Sequence, residues 1–240
     1  MLHEDGRALE PLDPKLTVSL RDHVHRALRL AIISGRFAYQ SRLNERQLAE
    51  ELGVSTTPLK EALRQLEADG LVTTLPRRGV VVLYGRTWAE EMILARAALE
   101  AMISRMAAQR LSKDDAEQLE SLIERMTVAS SGDDPDELIE ANEAFHDQIH
   151  KSSACVYLGR LIDRQRFYDA STRRIIHSDL TERAKALAEH TQIGRAIIAR
   201  DPDAAEQAMR NHVMRSGELY IRRVFGNSET PMGGLDPLTQ

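Results

Sequence analysis

The stretch "LAEELGVSTTPLKEAL" (Leu48–Leu63) permits few arrangements. Leu48, Ala49, Leu52, Val54, Leu59 and Leu63 recur at helical spacing on either side of a break at Gly53, so two helices must pack across a short turn. Gly53 allows the left-handed backbone that so tight a turn needs. Asn44 stands at the N-cap of the first of these helices, with Gln47 at the capping-box position. Ser or Thr caps open the second, Pro58 lies in its first turn and Gly70 follows its end. Upstream, Val24, Leu28, Ala31 and Ile32 predict a helix within Val18–Ser34, ended by Gly35, and "RFAYQSRL" reads as a loop. Downstream, "LVTTL" (Leu71–Leu75) and "VVVL" (Val80–Leu83) are β-type runs joined by "PRRG" as a hairpin tip. Helix, loop, helix, tight turn, helix, hairpin is the plan of a winged helix-turn-helix.

Such packing projects the start of the third helix outward. Ser55, Thr56, Thr57 and Lys60 are then placed to enter a major groove of double-stranded DNA. Arg77, Arg78 and Gly79 form a tip that reaches phosphates or the minor groove, and Arg46 on the second helix can touch the backbone or a base edge. The charge distribution agrees. Residues 15–84 carry eleven Lys and Arg against seven Asp and Glu, whereas residues 85–240 carry twenty against twenty-six, in a chain of net charge −5. A basic block on an acidic body points to a polyanion partner for the block.

Beyond a linker starting at Tyr84–Gly85 every segment is helical by period, over approximately 87–110, 113–129, 135–152, 156–177, 181–200 and 202–225. The expected organisation is a flexible arm at 1–15, a winged helix-turn-helix at 16–84, an all-helical domain at 85–226 and a disordered tail at 227–240, so the fold class is mainly α with a small β-hairpin wing. No apolar run approaches the ~18 residues of a membrane span. The N-terminus has no apolar stretch of a secretory signal, and Cys155 is the one cysteine, which fits a reducing cytoplasm and no membrane partner.

"ANEAFHDQIH" (Ala141–His150) sets Asn142, His146 and His150 at four-residue steps, along the stripe of Leu138, Ile139, Phe145 and Ile149. His190 lies on the face of Leu187, Gly194 and Ile197, and His212 on that of Ala205, Ala208, Met209, Ser216 and Leu219. One histidine on an apolar face is usually a hydrogen-bonded core residue. Three on separate helices can be three such residues, or they can converge as a ligand set for Zn, Ni, Cu or Fe. In the 87–110 helix the stripe reads Trp88, Met92, Ile93, Leu99, Met102, Ile103, Met106, and Arg96 interrupts it. A buried Arg demands a partner, either an internal acid such as Glu100 or the carboxylate of a ligand. Gln165, Tyr168 and Thr172 fall on the inner side of the 156–177 helix and are further lining candidates.

"ISGRF…RLNERQLAEELGVSTTPLKEALRQLEADGLVTTLPRRGVVV" closely resembles the N-terminal domain of GntR-family bacterial transcription regulators over about 70 residues. Members of that family usually carry Arg where this chain has Thr56 and Lys60, and only Arg46 matches the family's arginine on the second helix. Thr56 cannot make the bidentate guanine contact that Arg makes, so the resemblance implies DNA binding with an altered operator sequence. "ARAALEAMISRMAA", "NEAFHDQIH", "AEH" and "RNHVMRS" resemble the effector-binding domain of the FadR subfamily, over roughly 87–225. The metal-site pattern of that subfamily maps onto Asn142, His146, His190 and His212, with Asn142 in place of the commoner Asp, and its pocket places an Arg at the position of Arg96. The resemblance leaves His150 outside the ligand set. It implies a homodimer that binds a pseudo-palindromic operator, a divalent transition metal (Zn or Ni) and a small carboxylate effector, with repression relieved by ligand. The rivals are a regulator for which the ion itself is the signal, and a three-His metalloenzyme, for which no base or nucleophile stands near the histidines.

Overall fold

Asn44 sets the first of the local decisions that build this fold. The structure, a computed structural model, describes residues 19–132, 134–164 and 179–226. Helix α1 is Leu20–Ile33, α2 is Glu45–Leu52 and α3 is Thr56–Ala68. The Asn44 side chain accepts from the Gln47 backbone N–H at 3.2 Å, as an N-cap should. The expected return bond from Gln47 does not form: its amide turns along the helix to Glu51 at 2.9 Å. Gly53 closes α2 at φ +63°, and its N–H reaches back to the carbonyls of Ala49 and Glu50. Ser55 occupies the N-cap of α3 in an extended conformation. Val24, Leu28 and Ile32 on α1 and Leu59, Ala62 and Leu66 on α3 are buried at helical spacing, one apolar face on each helix.

The wing is an antiparallel pair, β1 (Val72–Leu75) and β2 (Gly79–Val82), in the register Val72↔Val82 to Leu75↔Gly79. The Glu67 carboxylate of α3 accepts from Thr74 N–H at 2.6 Å and from its hydroxyl at 3.2 Å, which ties the hairpin to the helix. The segment read as a loop does more than connect. Gln40 N–H donates to Val82 O at 2.9 Å, Val82 N–H to Ser41 O at 3.0 Å and Leu43 N–H to Val80 O at 2.9 Å, so residues 40–43 pair with the free edge of β2.

The described residues fall into two compact units, one of residues up to Ile32 with Phe37–Leu83, the other of Ile33–Arg36 and residues from Tyr84 onward. Tyr84, assigned from sequence to the first domain, is buried in the second unit, with its hydroxyl against that of Tyr220 and its ring near Phe225. The second unit contains α4 (Arg86–Arg110), α5 (Lys113–Ser131), α6 (Pro135–Ser153), α7 (Val156–Arg164), α8 (Leu180–Ile198) and α9 (Pro202–Phe225). Ser112, Asp134, Asp179 and Asp201 cap α5, α6, α8 and α9 through their side chains. Phe145, Ile149, Leu119, Met126, Ile193, Ile197 and Met209 lie in its core. A Cβ on Gly194 would stand 2.6 Å from Ile123 Cδ1 and 3.3 Å from Phe145 Cε2, so only glycine lets α8 lie this close to α5 and α6.

The buried face of α4 keeps only part of the stripe of large residues. Ile93 and Ile103 are buried, but they share that face with Ala89, Ala97, Glu100, Ala101, Ser104, Ala107 and Ala108, while Trp88 and Met102 are 36% and 41% exposed. Small residues let neighbouring helices approach closely, so the bulky ones are pushed to the margins. No described helix is long and apolar enough to cross a membrane.

Candidate functional site

In the helical unit the sequence places its histidines by helical register. One turn before Gly194 and two before Ile197, the same face of α8 carries His190, 3% exposed; α9 carries His212, 7% exposed, between Met209 and Val213. His146 on α6 joins them. One nitrogen from each of the three rings lies within 4.8 Å of the others. His146 Nε2 and His190 Nε2 are 3.3 Å apart, and the ring centroids of His190 and His212 are separated by 4.4 Å. Phe145 meets the rings of His146 and His190 edge-on, at 5.8 and 5.4 Å, and walls the cluster on its core side. Two imidazole nitrogens bound to one tetrahedral ion at ~2.0–2.1 Å would themselves be ~3.4 Å apart, so the His146–His190 separation fits a shared cation. His146 Nδ1 is buried without a hydrogen-bond partner among the described residues. Burial, and then the adjacent His190 and His212, push the His146 pKa well below 6.5. His146 is therefore held as a neutral nitrogen donor, the state a metal requires of an imidazole.

Around the rings the charges are paired. His212 Nδ1 donates to Glu189 Oε2 at 2.8 Å, and Arg215 grips both oxygens of that carboxylate. Burial works against ionisation of Glu189, but the hydrogen bonds from His212 and Arg215 outweigh it and hold its pKa below the ordinary value. His150, one turn beyond His146, is outside the cluster: its Nε2 donates to Glu100 Oε2 at 2.7 Å. Glu100 is 1% exposed and also takes Arg96 Nη2 at 3.2 Å. Its burial opposes charge, yet His150 and Arg96 together keep its carboxyl below the usual range. The internal acid is thus the carboxylate that the structure sets against Arg96.

Asn142 lines one small cavity with His190, Met126, Leu138 and Arg183. Arg183 escaped the sequence reading. It is buried and donates to Gly132 O at 3.1 Å. Its signal was present, for it precedes His190 by two turns on the same face as Leu187. Gln165, Tyr168 and Thr172 lie outside the described residues.

In the first unit Ser55, Thr56, Thr57 and Lys60 are exposed together at the start of α3, and Arg77 and Arg78 are exposed at the hairpin tip, where Arg77 adopts φ +62° and Gly79 φ +73°. Arg46 pairs with Glu50 at 3.3 Å and Lys60 approaches Glu45 at 3.9 Å, so both cations on the helices are partly neutralised. Arg42, which the sequence reading passed over as loop, is exposed beside the wing. Its guanidinium lies over Gly79, 3.5 Å from where a Cβ would stand. Only its backbone pairing with Val81 brings it there, which is why no spacing rule finds it.

A three-helix unit with a paired wing, followed by a helical unit with a buried polar centre, defines a class of DNA-binding protein with a separate sensing domain. Residues 20–82 match the bacterial regulatory proteins, gntR family, and residues 91–215 match the FCD domain. The chain belongs to the GntR family, in its FadR-type branch, and is a transcription regulator. It is 25% identical over 203 residues to the HTH-type transcriptional repressor RspR of Escherichia coli (strain K12), covering 84% of this chain and 89% of that one. It is 30% identical over 188 residues to the "Probable D-xylose utilization operon transcriptional repressor" of Paenarthrobacter nicotinovorans, covering 77% and 81%. The solved structure of E. coli McbR/YncC shares the fold, with a TM-score of 0.61 and 23% identity over 87% of this chain and 99% of that one. These relatives are transcription regulators, which removes the ground for the metalloenzyme alternative.

Proposed function

We propose that the chain is a homodimeric transcriptional repressor whose helical domain holds one divalent transition metal and binds a small carboxylate effector beside it. The convergence of His146, His190 and His212 carries this reading. Three convergent imidazoles suit Zn or Ni, and Asn142, one turn before His146 and in the cavity shared with His190, is the fourth donor. When bound, the ion would supply positive charge that favours an effector oxygen beside it. Because Asn142 adds no charge, that positive charge is not balanced by the donor set. Arg96 is the cation proposed for the effector's carboxylate, which must share the guanidinium with Glu100. The relatives named as repressors support repression.

The metal is tested on protein purified without a tag. Elemental analysis should give about one Zn or Ni per chain, lost in His190→Ala and His212→Ala and kept in His150→Ala. Equal loss in His150→Ala would transfer the site to the His146/His150 pair. Titrating operator affinity against free metal separates an ion that is the signal from an ion that only holds the effector.

A further inference from the structure

We infer that Glu189 is a positioning residue of the metal centre: it turns His212 so that Nε2, and not Nδ1, faces His146 and His190. The inference rests on the metal reading above and adds which nitrogen ligates and what fixes it. Glu189 and His190 are consecutive on α8 and do different things. His190 enters the cluster, while Glu189 reaches across to α9 and accepts from His212 Nδ1 at 2.8 Å. An ionised carboxylate can only accept, so Nδ1 carries the hydrogen and the free lone pair is on Nε2. The ring is thereby committed to one tautomer before any ion arrives.

Glu189 itself is immobilised. Arg215, three residues after His212 on α9, donates to both of its oxygens, at 2.9 Å from Nη2 to Oε2 and also from Nε to Oε1. The far side of Arg215 is held by Glu182, one to two turns before Glu189 on α8, through Nη1 to Oε2 at 2.5 Å. Lys185 takes the other oxygen of Glu182 at 2.9 Å. The result is a relay of fixed contacts, Glu182 to Arg215 to Glu189 to His212, that zips α8 to α9 behind the ligand. His146 has no such support at Nδ1 among the described residues. A carboxylate behind an imidazole raises its basicity as a ligand and fixes its ring plane, so His212 is the donor that Glu189 strengthens.

The test uses the full chain, stripped with a chelator and titrated with Zn(II) and Co(II) against a chromophoric competitor. Glu189→Gln keeps an oxygen acceptor of the same shape but removes the charge. It should weaken affinity for both ions by about 10- to 100-fold and alter the Co(II) visible spectrum. Arg215→Gln should act in the same direction with a smaller effect, through the freed Glu189. Nitrogen-15 spectra of the Zn form should show His212 coordinated through Nε2 and protonated at Nδ1. Wild-type affinity in Glu189→Gln, with or without a lowered melting temperature of the metal-free protein, would make the contact merely structural and overturn the proposal. So would coordination of His212 through Nδ1. If the wild-type chain takes up neither ion, the metal reading fails as a whole, a result distinct from normal wild-type uptake with an unaffected Glu189→Gln.

Discussion

Glu100 shows what a single buried charge requires. It is 1% exposed, and its two oxygens are divided between His150 and Arg96. Deleting either side of the buried Arg96–Glu100 pair leaves its partner charged and poorly solvated, which typically costs about 3–5 kcal/mol. Arg96→Ala should therefore lower the metal-free melting temperature sharply, and Glu100→Gln, which leaves the guanidinium uncompensated, should do the same. If thermal unfolding of the ligand-free protein is unchanged by either substitution, the ion pair contributes nothing and Arg96 is held for a ligand alone. The pH dependence follows from the same residues. His146 is neutral in the fold with its pKa depressed below 6.5, so the unfolded chain binds the extra proton, and stability is lost as pH falls below about 6.5. Glu100 and Glu189, depressed below 4.5, contribute stability that is present above that value and lost as pH falls below it. Denaturant titrations of the metal-free protein should show a decline that begins near the first value and steepens below the second; stability that is flat between pH 7 and 5 would mean His146 is not buried neutral.

Among the elements, the Asn44 cap and the Gly53 break were legible in the sequence because they are local, each acting on backbone within a few residues. Two features were not legible in full. The pairing of residues 40–43 with β2 is made by backbone groups, so the side chains of "RFAYQSRL" carry no alternation to announce it. The face of α4 is legible only in part: Ile93 and Ile103 announce it, but the alanines and the serine that also pack it carry little weight in hydrophobic periodicity. The wing's pairing has a consequence for DNA. Each phosphate-bound cation contributes about 0.9 to the slope of log affinity against log salt. Arg77→Ala with Arg78→Ala should reduce that slope by up to ~2, equally on specific and random duplexes, and adding Arg42→Ala should remove up to ~1 more, because the guanidinium lies over Gly79 on the same wing. An unchanged slope in the triple variant would place the wing away from the phosphates. Thr56→Arg, at the exposed first turn of α3, should instead shift the preferred sequence in a site-selection experiment more than the overall affinity.

At the scale of the whole molecule, each unit has its own core, Leu28, Leu59 and Leu66 in one and Phe145, Ile193 and Met209 in the other. The histidine cluster draws only on α6, α8 and α9, all in the second. The positions of those histidines were readable from helical spacing, which is local, and the resemblance set His150 apart from them; their tautomers, the role of Glu189 and the Glu100 partner that holds His150 depend on contacts between helices and could not be read. A ligand that binds the folded state stabilises by about 2.7 kcal/mol at a hundredfold excess over its dissociation constant. That energy must appear where the donors are. Hydrogen exchange of the stripped chain, followed after adding Zn(II), should slow in α6, α8 and α9 and stay unchanged in α2 and α3. Slowing confined to the helical unit means that metal organises the sensor and that a second signal, the carboxylate, is needed to alter operator binding. Equal slowing in α2 and α3 would show that the ion alone biases the DNA-binding unit, since a ligand shifts an equilibrium only by its difference in affinity for the two states. That result would replace the effector reading with metal sensing, and operator affinity measured with and without Zn(II) on the same preparation should then differ by the same free energy.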